Sequence, residues 1–214
     1  MHYKKELSLS ASCFLLALLC SIIWLYAPDK NLADRIAPDI LRFHVVANSN
    51  SREDQEIKLQ VKSLILEELS TNPYLQTTLS KETLCRFLLS HKPQLESTIN
   101  QYLQNAGSSH KAVLVLDNLY FPSKTYGDIT LPCGNYDALQ VSIGSGRGRN
   151  WWCVLYPRLC FVDATHAILP DSSKEQLKSA LSDNDYGRLL DNREMNVKVR
   201  FHLLDTLRNA FFDK

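Results

Sequence analysis

An excess of charge of one sign is missing from this 214-residue chain: Lys and Arg number 24 against 23 Asp and Glu. A balance that close supplies no global basic field, so no nucleic-acid partner is expected. Glycine is scarce, seven residues in all, and four of them fall between Gly134 and Gly148. The run G-S-G-R-G-R-N at 144–150 lacks the terminal Lys-Ser/Thr of a phosphate-binding P-loop. Its glycine spacing, with a strand following rather than a helix, is also wrong for a dinucleotide fingerprint. No H-E-x-x-H helix and no serine-centred elbow is present, which removes the usual zinc-protease and α/β-hydrolase arrangements. Zinc spacing is limited to a lone C-x6-C at Cys153 and Cys160 with His166 nearby. No cofactor and no metal is expected, and there is no internal repeat or low-complexity segment.

One long uncharged run is present. Lys4 and Lys5 precede residues 7–27, dominated by Leu, Ile, Ala, Phe and Cys. About 21 residues at 1.5 Å rise span roughly 32 Å, enough for a hydrocarbon core of about 30 Å. Residues 1–27 therefore read as a signal peptide or membrane anchor, with the lysines on the cytoplasmic side and the rest outside. No good A-x-A site follows, and Pro28 hinders cleavage after Ala27, which favours an uncleaved anchor. Setting the leader aside leaves Cys85, Cys133, Cys153 and Cys160 in a compartment where disulfides are permitted. Cys153 and Cys160 flank Pro157 closely enough to bridge across a hairpin; alternatively both are buried thiols.

Residues 28–39 read as a juxtamembrane linker and 40–214 as an extracytoplasmic domain. I-L-R-F-H-V-V-A at 40–47 suits a half-buried strand, followed by the turn N-S-N-S. Ser51 and Asn50 stand three residues before Asp54 and Glu53, as N-terminal caps do. The helix they open runs to about Leu69, with Ile57, Val61, Leu64, Ile65 and Leu69 on one stripe. Residues 71–78 read as a loop. Ser80 caps a second helix that Pro93 breaks, kinks or restarts, and that stops at Gly107. Residues 112–116 form a short strand, 137–143 a half-buried one and 151–156 another ending at Pro157. Residues 173–181 suit a helix. Val197 to Phe211 suit a short strand passing into a terminal helix. The order of elements is α+β: a mainly antiparallel sheet packed by amphipathic helices.

Three groups of residues are candidates for function. Arg42, His44, Asn48, Ser49, Asp54, Gln55 and Lys58 gather where a strand hands over to a helix. Arg42 and His44, two apart, share the face opposite Phe43 and Val45. This is a binding patch or active site, or, read plainly, a set of helix caps with His44 bonded to a neighbour. Arg147 and Arg149 ride the glycine loop, ready for an acidic partner or lipid head group, or as a solvated hairpin tip. Trp151, Trp152 and Cys153 lie with Cys160 and His166; one tryptophan fills the core and the other lies nearer the surface. Cysteine catalysis would require a base beside Cys153, and His44, His166 and His202 are the nominal ones.

Two segments carry a resemblance. L-R-F-H-V-V-A-N-S-N-S-R-E-D-Q-E-I-K-L-Q-V-K at 41–62, and the stretch at 121–163 that includes N-W-W-C-V-L-Y-P and L-C-F-V-D, resemble the stage II sporulation protein R family. R-F-H-L-L-D at 200–205 is a weaker echo. The family pattern has alanine at Cys133, proline at Arg158 and aspartate at Asn50, so Cys133 looks like a peculiarity of this chain. The resemblance implies a non-enzymatic signal of endospore formation, exported from the forespore into the space between the septal membranes, secreted or anchored. It also implies a partner: stage II sporulation protein GA, a membrane-embedded aspartic protease that processes the sigma-E precursor. An extracytoplasmic hydrolase using Cys153 or His44, and a membrane-tethered scaffold, are the competing expectations.

Overall fold

The computed structural model describes residues 12–21, 31–77, 80–160 and 169–190. The sheet is built around a strand whose two faces are both covered. β1 (Leu41–Val46) lies between β5 (Gly134–Ile143) and β6 (Asn150–Tyr156), with β2 (Ala112–Phe121) outside β5, giving the order β2-β5-β1-β6. β1 runs parallel to β5 and antiparallel to β6, and β2 pairs antiparallel with β5. Two of the three pairings are antiparallel, and helices pack on the sheet, as an α+β fold requires. A second, two-stranded sheet is formed by β3 (Lys124–Tyr126) and β4 (Ile129–Leu131).

One face of the sheet carries α2 (Arg52–Thr71) and α4 (Lys81–Asn105). Phe43, Val45, Leu139 and Val141 meet Val61, Ile65, Leu84 and Ile99 there. The stripe on α2 is Ile57, Val61, Ile65, Leu66 and Leu69; Leu64 is only half buried. Ser51 accepts from the Asp54 amide and Ser80 from the Thr83 amide, so both helices open on side-chain caps. α4 continues through Pro93, at an exposed position where a carbonyl left without its intrahelical donor is open to water. It ends in a Schellman pair, Ser108 N to Leu103 O and Gly107 N to Gln104 O, with Gly107 at φ +76°. Between α2 and α4, part of the stretch expected as a loop is the short helix α3 (Pro73–Thr77).

The opposite face has its own core. A short helix, α1 (residues 31–36), leads into a 3-10 turn, Ala37–Asp39, and buries Leu32, Ala33 and Ile36. These join Ile40, Phe121, Ile129, Leu131, Tyr136, Ala138 and Val154, with Leu177 and Leu189 from α5 (Asp171–Ala180) and α6 (Asp183–Leu190). The segment expected to be a linker is thus integral to the fold from residue 31. It is tied down by Arg35 to Asp185 at 2.6 Å and by Lys81, which donates to the Ala37 and Pro38 carbonyls and pairs with Asp137.

Two strand expectations change. β2 extends to Phe121 because residues 117–121 continue the ladder on the longer β5. As the outermost strand beside β5, it has outward amides at Ala112 and Leu114 taken by side chains of α4, Asn100 at 2.8 Å and Glu96 at 2.8 Å. β5 and β6 are not a hairpin, because β1 lies between them; the glycine loop is a crossover over the end of β1. Among the described residues no helix is long and apolar enough to cross a membrane. Residues 12–21 are helical and exposed; the rest of the 7–27 run, and the tail expected over 197–211, lie outside the described residues.

Candidate interaction site

The crossover forces two polar loops together at the end of β1. Residues 47–51 leave β1 for α2, and residues 144–149 pass over them from β5 to β6. Gly148 N donates to Ala47 O at 2.8 Å and Arg147 N to Asn48 O at 3.2 Å. Ser145 N reaches Asn48 Oδ1 at 3.0 Å, its hydroxyl reaches Asn48 O at 2.9 Å, and Arg149 N reaches Asn50 Oδ1 at 2.8 Å.

The glycines permit this approach for two different reasons. Gly144 and Gly146 have φ of +59° and +61°, the left-handed region that other residues avoid. Gly148 has an ordinary φ, but a Cβ there would overlap the Ser49 carbonyl oxygen and lie 2.8 Å from the Ala47 carbonyl oxygen.

From Asn48 the network runs into α2. Asn48 Nδ2 donates to Asp54 at 3.0 Å and the Ser49 hydroxyl to the same oxygen at 2.5 Å. The Ser49 bond is the main cause, with Asn48 and Ser51 adding to it, that holds the Asp54 carboxyl below the usual carboxylate range against the opposing effect of burial. Gln55 Nε2 donates to Ser49 O at 2.9 Å, and Lys58 Nζ to Gln55 Oε1 at 2.7 Å and Arg149 O at 3.3 Å. Burial first, and the neighbouring Arg149 charge second, lower the Lys58 pKa. Asn48, Ser49, Asp54, Gln55, Lys58, Arg147 and Arg149 are therefore one assembly. Its hydrogen bonds hold loop against loop, and the Arg147 and Arg149 side chains face outward.

Arg42 and His44 do not belong to it. Their face, expected to be the open side of a half-buried strand, is covered by the second core. Arg42 is fully buried, with Phe121, Tyr136 and Tyr126 rings 4.6, 5.2 and 5.8 Å from its Cζ and a 3.4 Å bond to the Tyr126 hydroxyl. Burial pulls its pKa down from the ordinary arginine value, opposed by Tyr126 and Tyr136. His44 stacks on Trp152 at 4.7 Å and meets Phe121 edge-on at 5.3 Å. Its two ring nitrogens are buried with no partner of hydrogen-bond geometry among the described residues, the neighbours Asn150 and Gln140 lying on the side that favours its charged form. Burial, outweighing weak help from Asn150 and Gln140, pushes its pKa down to about 4.

Trp151 and Trp152 lie on opposite faces, both partly buried. Trp151 meets Phe43 edge-on at 5.6 Å in the first core, and Trp152 lies against Phe121 in the second. Cys153 is disulfide-bonded to Cys160, whose Cα is 5.5 Å away, so of the two open alternatives the bridge is the one the structure shows. Cys153 in this state is no thiolate nucleophile. Cys85 and Cys133 are free. Sequence reasoning missed Ser145 and the Asn50–Arg149 contact; the glycine run and the N-S-N-S turn were visible separately, but nothing in either pointed to the other.

Fold and site together define a small α+β domain whose polar groups lock two loops into one projecting, arginine-bearing platform. Comparison with known proteins adds a family: the stage II sporulation protein R profile matches residues 37–166. The chain is 28% identical over 189 residues to stage II sporulation protein R of Bacillus subtilis (strain 168), covering 82% of this chain and 84% of that protein. This chain belongs to the stage II sporulation protein R family, which places it in sporulation. No solved structure matches it.

Proposed function

We propose that this chain is an exported signal of endospore formation that acts by contact. It binds the membrane-embedded aspartic protease, stage II sporulation protein GA, and favours the state that cleaves the sigma-E precursor. A ligand shifts such an equilibrium only by binding the active state better than the inactive one, which calls for a rigid contact surface. The observation that carries this reading is the loop interlock: five hydrogen bonds from 145–149 to 47–50 fix a surface, and its internal polar groups are already partnered with one another. The charged-to-apolar leader and the Cys153–Cys160 bridge support delivery outside the cytoplasm. The hydrolase alternative loses its cysteine to that bridge, and its histidine is sequestered beneath Trp152.

The test is co-expression of this chain, the protease and a tagged sigma-E precursor in a non-sporulating host. Cleavage that depends on all three is expected, and on the interlock: Asn48→Ala with Asp54→Ala abolishes it in a folded domain. Full cleavage without this chain would end the proposal.

A further inference from the structure

We propose that Arg147, Arg149, Lys58 and Lys62, with Trp151 and Leu59 between them, form a docking edge for an acidic amphipathic segment of a partner protein. The inference rests on the contact reading above and names the chemistry of what is contacted. Lys58 and Lys62 are one helical turn apart on α2, so they share a side of that helix. Lys58 Nζ lies against the Arg149 carbonyl at 3.3 Å, and Lys62 Nζ lies 5.3 Å from the centre of the Trp151 ring. The two arginines are exposed and Leu59 is 44% exposed. The edge thus runs from the glycine loop past the start of β6 to the second and third turns of α2.

Several basic groups elsewhere in this charge-balanced chain are matched: Arg52 with Glu56, Lys81 with Asp137, Lys174 with Asp128, Arg35 with Asp185. Along this edge none of the four forms an ion pair with a carboxylate among the described residues, and the carboxylate of Asp54 is already held by Ser49 and Asn48. Four clustered cations without counter-ions attract an anion. A bilayer surface and an acidic peptide both supply one, but Lys58 decides between them. It is only 6% exposed, beyond the reach of a flat headgroup plane, and Gln55 and Arg149 use two of its three protons. One proton remains, and a carboxylate on a narrow side chain is the group proposed to take it. Trp151 and Leu59 beside the cations are the apolar anchors that such a segment would cover.

The experiment uses the full chain in phosphatidylcholine nanodiscs, with a fluorescein-labelled peptide alternating Glu and Leu as probe and its Gln-for-Glu counterpart as control. The Glu peptide should bind and the Gln peptide should not. Arg147→Glu with Arg149→Glu, and separately Lys58→Met, should each weaken binding by about tenfold or more while the circular dichroism spectrum is unchanged. If charge reversal prevents folding, Arg147→Gln with Arg149→Gln replaces it. Equal binding of both peptides, or variants that bind like the wild type, would overturn the proposal. So would complete loss of Glu-peptide binding by the wild-type chain in discs with about 30% phosphatidylglycerol, since lipid headgroups would then be the occupant. In the co-expression assay, undiminished precursor cleavage by the charge-reversed chain would sink this edge and leave the contact reading standing. Failure of the wild-type chain to trigger cleavage would sink the contact reading, and the peptide titration would still judge the edge.

Discussion

Replacing Gly148 by alanine tests the interlock more directly than any charged substitution, because it adds one methyl group and removes no polar atom. That methyl would land on the Ser49 carbonyl oxygen and 2.8 Å from the Ala47 Cβ and carbonyl oxygen, so backbone rather than a flexible side chain must yield. If the loops hold, overpacking costs about 1–3 kcal/mol. If they part, the bonds from Gly148 N, Arg147 N and Ser145 N go with them, each worth about 1 kcal/mol net. The loss is thus about 1–3 kcal/mol by the first route and about 3 kcal/mol by the second. Gly146→Ala is the internal control. Its nearest neighbours are 3.8 Å away, so only the left-handed φ of +61° opposes a side chain there, at a cost of about 1 kcal/mol. Urea unfolding followed by tryptophan fluorescence is a suitable assay, since Trp151 and Trp152 directly follow the loop. A Gly148→Ala protein as stable as wild type, or less destabilised than Gly146→Ala, would refute the steric account.

Three further outcomes are expected. The bridge between Cys153 and Cys160, seven positions apart, should contribute about 2–3 kcal/mol by closing a short loop, so the double serine variant should unfold at correspondingly lower urea; unreduced protein in which both thiols alkylate would show that no bridge exists. His44 has a folded pKa of about 4, below its unfolded value, so stability is constant above pH 6.5 and falls by about 3 kcal/mol as the unfolded chain takes up its proton down to pH 4. His44→Phe should flatten that interval, and an NMR titration showing an imidazolium at pH 6 would contradict the assignment. Asp54 has a depressed pKa, so its contribution is present above the unfolded carboxylate value of about 4 and is lost as pH falls through the folded one. Asp54→Asn should therefore be less sensitive to acid than wild type, and an identical acid limb in the two proteins would argue against the Ser49 and Asn48 bonds.

Much of the local structure was legible from residue types. Ser51, Ser80 and Gly107 marked helix ends because each satisfies backbone groups that a helix leaves unpaired, and alternation at 139, 141 and 143 showed the buried side of β5. What alternation does not reveal is how many layers a sheet has. L-R-F-H-V-V looks half exposed because Arg42 and His44 are polar, yet aromatic rings cover both. The second layer escaped notice because its contributors, 31–40 and 169–190, show few apolar residues each and bury them together. The site was half visible: the helix-cap cluster and the glycine loop were each apparent. Their union depends on β1 inserting between β5 and β6, and Ser145 lies 97 residues beyond the Asn48 it grips.

That separation also bears on how the molecule comes into being. Phe43 is flanked by Leu139 on one side and Cys153 on the other, so the middle strand finds neither neighbour until roughly a hundred further residues have been made. The first third of the polypeptide thus depends on what comes much later: α2, and α4 beyond it, have no completed sheet to pack on until β5 and β6 exist. The centre of the sheet is therefore the last part of it that can be completed, once β6 has been made.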